Sequence, residues 1–213
     1  KAEIEEATKQ WQQFNALSQQ LSQWLKDKEN FLTAFEFDSN SLHTIRSFIE
    51  KVQDIKQEFK LNESMFKKIQ ELGNTLLKHA DDKAATEIKD TLSSIQRDWY
   101  KVLRALDDSR LQFEKIDHQW TDCESEIEDM IGKLKDIRSI LSADIPTTYD
   151  ALQLDMSRCR DIENDFTKSE DKKQRLLVAE KQLGRVVQTS DMNLLHQRIQ
   201  LLNKQREELQ HQT

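Results

Sequence analysis

Chain breakers are almost missing from this sequence: its 213 residues include three glycines and one proline. Average usage would supply roughly 25 residues of those two types. Without them there is little material for tight turns, hairpins or phosphate-cradling loops, which argues against a sheet protein. Cysteine is scarce too, and Cys123 and Cys159 have no metal-ligand spacing. Both fall on apolar-stripe positions, where a thiol serves as a small buried hydrophobe and a reducing compartment is the simplest fit. No stretch approaches 18 consecutive apolar residues, so no membrane insertion is expected. The opening Lys1-Ala2-Glu3-Ile4-Glu5-Glu6 has no signal-peptide character, and the chain reads as an excised fragment. Basic charge is in deficit, 32 Lys and Arg against 39 Asp and Glu, for a net charge of −7. That balance repels nucleic acid and anionic lipid.

What is present is charge and helical periodicity. Charged residues make up 33 % and hydrophobic ones 36 %, a thin core that suits an elongated bundle. In the first 35 positions Ile4, Trp11, Leu25 and Leu32 fall on one heptad row and Ala7, Phe14, Leu21 and Phe35 on a second. Leu17, Trp24 and Phe31 make a third row beside them. A stripe that wide faces two neighbours, as in a three-helix bundle. Asp38-Ser39-Asn40-Ser41 is a turn and N-cap cluster, followed by a helix to about Lys78 in which Ile45, Val52, Phe59 and Phe66 repeat every seven residues. His79-Ala80-Asp81-Asp82 then offers a cap for a third helix.

The pattern of that third helix does not stop. Ala85, Leu92, Trp99 and Leu106 continue as Phe113, Trp120, Ile127, Leu134 and Leu141. The partner row runs Ile88, Ile95, Val102, Ser109, Ile116, Cys123, Met130 and Ile137. The spacing predicts one continuous helix over about 82–141, its 57 residues from Ala85 to Leu141 spanning roughly 85 Å. Pro146 marks the next turn, with Thr147 and Asp150 spaced as a capping box. A helix to about Leu183-Gly184, a turn at Gln188-Thr189-Ser190-Asp191 and a last helix to the chain end complete the pattern.

These helices form two copies of three. A shift of 106 lays Trp24-Leu25 over Met130-Ile131 and Phe14 over Trp120. A shift of 107 lays Ile45 over Leu152, Ile49 over Met156, Phe59 over Phe166, and Ile88, Leu92 and Ile95 over Leu195, Ile199 and Leu202. A repeat of that length with three helices and a shared connecting helix resembles the spectrin repeat family. Leu21-x-x-Trp24-Leu25 with Glu29 looks like its first-helix motif, and Ile88…Leu92…Ile95…Trp99 looks like its third-helix motif. The second copy departs from it: Met130 stands where the first tryptophan would be and Arg206 where the second would be. The expected architecture is therefore all-α, two tandem spectrin-like three-helix bundles (1–111 and 112–213) in an elongated rod. Divergent repeats of this kind look most like those of giant cytoskeletal linkers, nesprins first, then dystrophin-type or plakin proteins.

No constellation for catalysis, cofactor or metal is found. Trp11, Trp24, Trp99 and Trp120 lie on core rows and read as packing, and the five histidines show no ligand pairing. Two surface features stand out. Asp108, Asp122, Asp129 and Asp136 share one row of the long helix, broken by Lys115, with Glu128 beside it. Asp122, Glu128, Asp129 and Asp136 are the candidate partner-binding residues, offering fixed negative charge to a basic face, against the plainer reading of a solvated helix face. Lys168, Lys172, Lys173 and Arg175 form a basic cluster diluted by Asp165, Glu170 and Asp171, and read as solvated charge. The expected function is a monomeric structural spacer and docking segment, the alternative a coiled-coil rod that pairs side by side. The resemblance implies a cytoplasmic, cytoskeletal location, a parent anchored at the outer nuclear membrane, and partners among cytoskeletal regulators (formins included) or actin-associated proteins. The second copy, with Asp155, Ser169, Lys173 and Glu180 at positions that should be apolar, is expected to be the less stable.

Overall fold

A computed structural model describes residues 2–35 and 40–211, excluding the side chains of residues 2–4. Ile4's place on the first row, the turn residues Asp38 and Ser39, and the chain's last two residues lie outside that description. The described residues form five helices: α1 (Ala2–Ala34), α2 (Leu42–Leu77), α3 (Asp82–Leu141), α4 (Tyr149–Leu183) and α5 (Thr189–Gln210). No β-strand occurs among them; one isolated parallel bridge joins Asn40 and Val187. α3 is unbroken for 60 residues, as its heptad register requires.

The helix starts follow local chemistry. Ser41 Oγ accepts the Thr44 N–H at 3.1 Å, capping α2, and Asp81 Oδ1 accepts the Ala84 N–H at 2.8 Å, capping α3. Both bonds satisfy an N–H that the first helical turn leaves orphaned. The Thr147 capping box does not form. The N-cap of α4 is Thr148, with no side-chain cap bond, because the helix begins one residue later than that box demands.

The contacts divide the chain into two compact units, Lys1–Glu36 with Arg46–Phe113, and Phe37–Ile45 with Glu114–Thr213. The first is built on aromatics. The Phe59 ring meets Trp24 and Trp99 edge-on, each at 4.7 Å, and Phe66 stacks on Trp99 at 4.6 Å. Phe113 meets Phe48 at 4.9 Å and Phe35 at 5.3 Å. Each such pair adds about 0.5–1.5 kcal/mol beyond the area it buries. Gly73 of α2 faces Leu92 of α3: a Cβ there would lie 2.8 Å from Leu92 Cδ1. Of the four tryptophans, Trp99 and Trp120 are buried, while Trp11 and Trp24 are only half-buried. Trp24 has a polar handle as well, its indole N–H donating to Glu58 Oε2 at 2.9 Å while Lys28 pairs with the same oxygen at 2.7 Å. Burial raises the Glu58 carboxyl pKa, but the hydrogen bonds from Lys28 and Trp24, with the Lys28 charge, outweigh it and leave it below its ordinary value.

The second unit is built on aliphatics. The α3 side chains Trp120, Cys123, Ile127, Met130, Leu134 and Ile137 meet Ile162, Phe166, Leu176 and Leu183 of α4 and Leu195, Ile199, Leu202 and Leu209 of α5 in its core. The first three turns of α4 contribute no buried residue. Leu152 and Met156, which repeat the buried or half-buried Ile45 and Ile49, are exposed, and so is Cys159. The expectation of a buried thiol therefore holds for Cys123 and fails for Cys159. The helix around Cys159 leaves that stripe open along residues 151–161.

Arg206 occupies the expected tryptophan position and is only 6 % exposed. Its Nε donates to Ser169 Oγ at 2.8 Å and its Nη2 to the Phe166 carbonyl at 3.3 Å. Nη2 also lies 2.9 Å from Glu170 Oε2, and the guanidinium stands 6.0 Å from the centre of the Phe166 ring. A cation has thus been fitted into a core position by giving its donors acceptors, as a buried charge requires. The aliphatic stem does the packing.

Candidate partner-binding face

α3 fixes where the acidic side chains stand. Residues seven apart return to nearly the same azimuth, about 10.5 Å further along the axis. Asp122, Asp129 and Asp136 therefore form a straight row, each immediately preceding a buried residue of the core row, Cys123, Met130 and Ile137. All three aspartates are exposed. Beside Asp122 runs an open groove of about 400 Å³ between α3 and α4, lined by Gln119, Asp122 and Glu126 on one side and Arg175, Leu176 and Ala179 on the other. Glu126 is not available to a partner, because Lys172 Nζ lies 2.6 Å from its Oε1.

Glu128 is not part of this row. Adjacent helical residues point about 100° apart, and Glu128 turns toward α5, where Arg198 Nη2 bonds its Oε1. The same guanidinium lies 3.6 Å from Glu124. The structure thus groups three of the four candidates and ties the fourth to a cation inside the unit. The spacing along α3 gave no sign of Arg198, which lies 70 residues further on. The basic cluster is also partly committed: Lys172 pairs with Glu126, and Lys173 lies 3.8 Å from Glu170.

The row's electrostatics are those of three exposed carboxylates about one Debye length apart at 0.1 M salt. Their fields add at low ionic strength and separate at high ionic strength. Cys123, next to Asp122, is inert as a nucleophile. Burial pushes its thiol up to about 11, and the charges of Asp122, Glu180, Glu124 and Glu126 push the same way. Among the described residues no three His, Cys, Asp or Glu side chains converge as metal ligands. All five histidines are exposed. No helix among the described residues is long and apolar enough to cross a membrane.

An uninterrupted connecting helix, a three-helix aromatic core and a repeat of about 106 residues together specify a family, and the spectrin repeat model matches residues 9–115. The chain belongs to the spectrin repeat family. Among relatives of this spectrin repeat chain, human nesprin-2 is 22 % identical over 210 residues, covering 98 % of this chain. Mouse nesprin-2 is 20 % identical over the same length. Human microtubule-actin cross-linking factor 1, isoforms 1/2/3/4/5, is 26 % identical over 135 residues, or 63 % of this chain. The chain spans about 3 % of the length of the nesprins and 2 % of that cross-linking factor.

Proposed function

We propose that this chain is a non-catalytic structural spacer and protein-docking segment of a cytoskeletal linker, made of two spectrin repeats, 1–111 and 112–213. The observation that carries the reading is the 60-residue helix α3, whose core rows stay buried from Trp99 to Ile137. Such a helix serves to hold distance and to present side chains in fixed geometry. Kinship with nesprin-2 and with a protein named as a microtubule-actin cross-linker supports a cytoplasmic, cytoskeletal setting. In that setting the parent joins the outer nuclear membrane to actin, and this segment docks a cytoskeletal regulator, formin-like or actin-associated, on its side.

The docking face is the row Asp122, Asp129 and Asp136, and its partner presents a basic surface. Glu128 acts as a brace through Arg198. Crosslinking the parent in cells identifies the partner, and the purified pair is then titrated against the triple reversal of those aspartates to lysine. The control reverses Glu50, Asp54 and Glu63 in the first unit; Glu58 is avoided because it holds Trp24 and Lys28. The reversal is expected to weaken binding at least tenfold at low salt, chiefly through the association rate. Affinity within twofold at every salt concentration would show the row to be solvated surface. A second reading, side-by-side pairing, is favoured by exposed Tyr149, Leu152 and Met156 on α4. Sedimentation across a concentration range separates it from the monomer proposed here.

A further inference from the structure

The acid excess of the chain reverses locally on α3. Residues 91–106 carry Arg97, Lys101 and Arg104 against one acid, Asp98, in a chain of 39 acidic and 32 basic residues. Steps of four and then three residues keep the three cations on one helix face, and all three are exposed. That face looks away from the buried row Ile95, Trp99, Val102 and Leu106. With Tyr100 and Asp108 the cations line an open hollow of about 460 Å³ within the first unit. Tyr100 is 53 % exposed, and its ring meets Phe66 edge-on at 6.4 Å, so it is held on one side and left open on the other. Among the described residues its phenol makes no hydrogen bond and Arg104 makes no ion pair. Arg97 Nε lies 3.1 Å from Asp98 Oδ1, its Nη2 donates to Ser94 Oγ at 3.1 Å, and Lys101 pairs with Glu29 of α1. Exposed pairs of this kind contribute little, so a partner's carboxylates displace them at small cost.

Tyrosine and arginine are the side chains whose truncation most often costs an interface its affinity. A Tyr between two Arg on a rigid helix therefore has the composition of an anchor point, and its net positive charge selects an anionic partner. Spacing selects the partner's form. Along the axis of α3 the cations stand at 0, about 6 and about 10.5 Å. Acids at i, i+4 and i+7 of a second helix repeat those intervals, whereas same-side residues of an extended chain fall roughly 7 Å apart and overshoot the last cation by about 3 Å. We propose that this hollow docks an acidic helix of a partner protein, its carboxylates facing Arg97, Lys101 and Arg104 and an apolar side chain seated on Tyr100. Because α3 is already rigid, the ordering cost falls mainly on the partner. This face is separate from the aspartate row of the second unit and opposite to it in sign.

Fluorescence anisotropy with the whole chain tests the docking. The probe is a labelled alanine-based helix with Glu at i, i+4 and i+7 and one Leu between them. A peptide of the same composition with scrambled Glu positions, and phosphatidylserine-containing vesicles, are the comparisons. Arg97→Glu with Arg104→Glu should weaken probe binding at least about tenfold at low salt, and Tyr100→Ala about fivefold at every salt concentration. Lys168→Glu with Arg175→Glu, in the second unit, should change it less than about twofold, and the scrambled peptide should bind at least about fivefold more weakly. Equal losses from the two double reversals, or equal affinity for the scrambled peptide, would reduce the attraction to diffuse charge and overturn the proposal. An effect of Tyr100→Ala below twofold would overturn the seat on the ring. Probe affinity unchanged by the Arg97 and Arg104 reversals, with vesicle binding lost, would make the face a lipid contact and sink the proposal as well.

Discussion

Replacing Arg206 by methionine should leave the second unit about as stable as it is, whereas replacing it by alanine should not. The side chain has two parts with opposite energetics. Its three methylenes are buried and contribute about 0.8 kcal/mol each, or roughly 2–2.5 kcal/mol together. The guanidinium gains bonds to Ser169, Phe166 and Glu170, but forming them strips it of water, a penalty of several kcal/mol for a buried ion. Removing the guanidinium orphans no group. Ser169 Oγ still donates to the Phe166 carbonyl at 2.7 Å, and Glu170 keeps Gln174 at 3.0 Å and Lys173. Arg206→Ala therefore loses two of those methylenes, about 1.6 kcal/mol of burial, and leaves a partly open site, for a cost of about 2–3 kcal/mol in all. Arg206→Met refills the stem without a charge to desolvate, and should lie within about 1 kcal/mol of the parent chain or above it. The assay is thiol labelling of buried Cys123 under native conditions, in a Cys159→Ser background that removes the exposed thiol. Its rate reports opening of the second unit, and about 1.4 kcal/mol corresponds to a tenfold change. If the methionine variant labels as fast as the alanine variant, the guanidinium bonds and not the stem hold α5, and the reasoning is wrong.

Three further outcomes follow from the same contacts. Amides 151–161 of α4 should exchange before amides 48–58 of α2, because the former stretch buries nothing while the latter buries Phe48, Val52 and Ile55; equal protection would refute the ranking of the two units. The Cys123 pKa, raised from 9.0 to about 11, favours the folded state fully below pH 9, and that contribution is lost as pH rises toward 11. It amounts to no more than about 2–3 kcal/mol, so the alkaline fall in stability should flatten in Cys123→Ala relative to the parent. The lowered pKa of Glu58 works the other way, contributing above pH 4.5 and vanishing as acid protonates it. Glu58→Gln should thus shrink the acid sensitivity of the first unit in urea titrations followed by Trp24 and Trp99 fluorescence.

Most of the architecture was legible along single helices. The unbroken register of α3, its limits near 82 and 141, the caps at Ser41 and Asp81, and the core rows all follow from spacing and residue type. Each depends on neighbours within a turn or two of the same helix. The identity of the family was legible for the same reason, because its motifs are spacings. The departure of the second copy from the repeat pattern was visible too, since polar residues at apolar positions break a local pattern whatever stands opposite.

What spacing could not supply is the residue across the gap. Cys159 and Met156 share the helical period of buried positions, yet no packed neighbour covers their stretch of α4, so they are exposed. Arg206 looked like a flaw in the core until Ser169, Phe166 and Glu170, about 40 positions away, were brought within reach of its donors. Glu128 was grouped with the acidic row as its neighbour in sequence, and only the structure shows it bonded to Arg198 on α5. Asp191 read as a turn residue ahead of the last helix, and only the structure shows it accepting the Leu42 N–H at 3.0 Å. The sequence alone determined which residues turn inward, because a helix repeats every 3.6 residues. Only the tertiary structure decided which of them meet a partner, because hydrogen bonds and ion pairs depend on a few ångströms between segments that no periodicity relates.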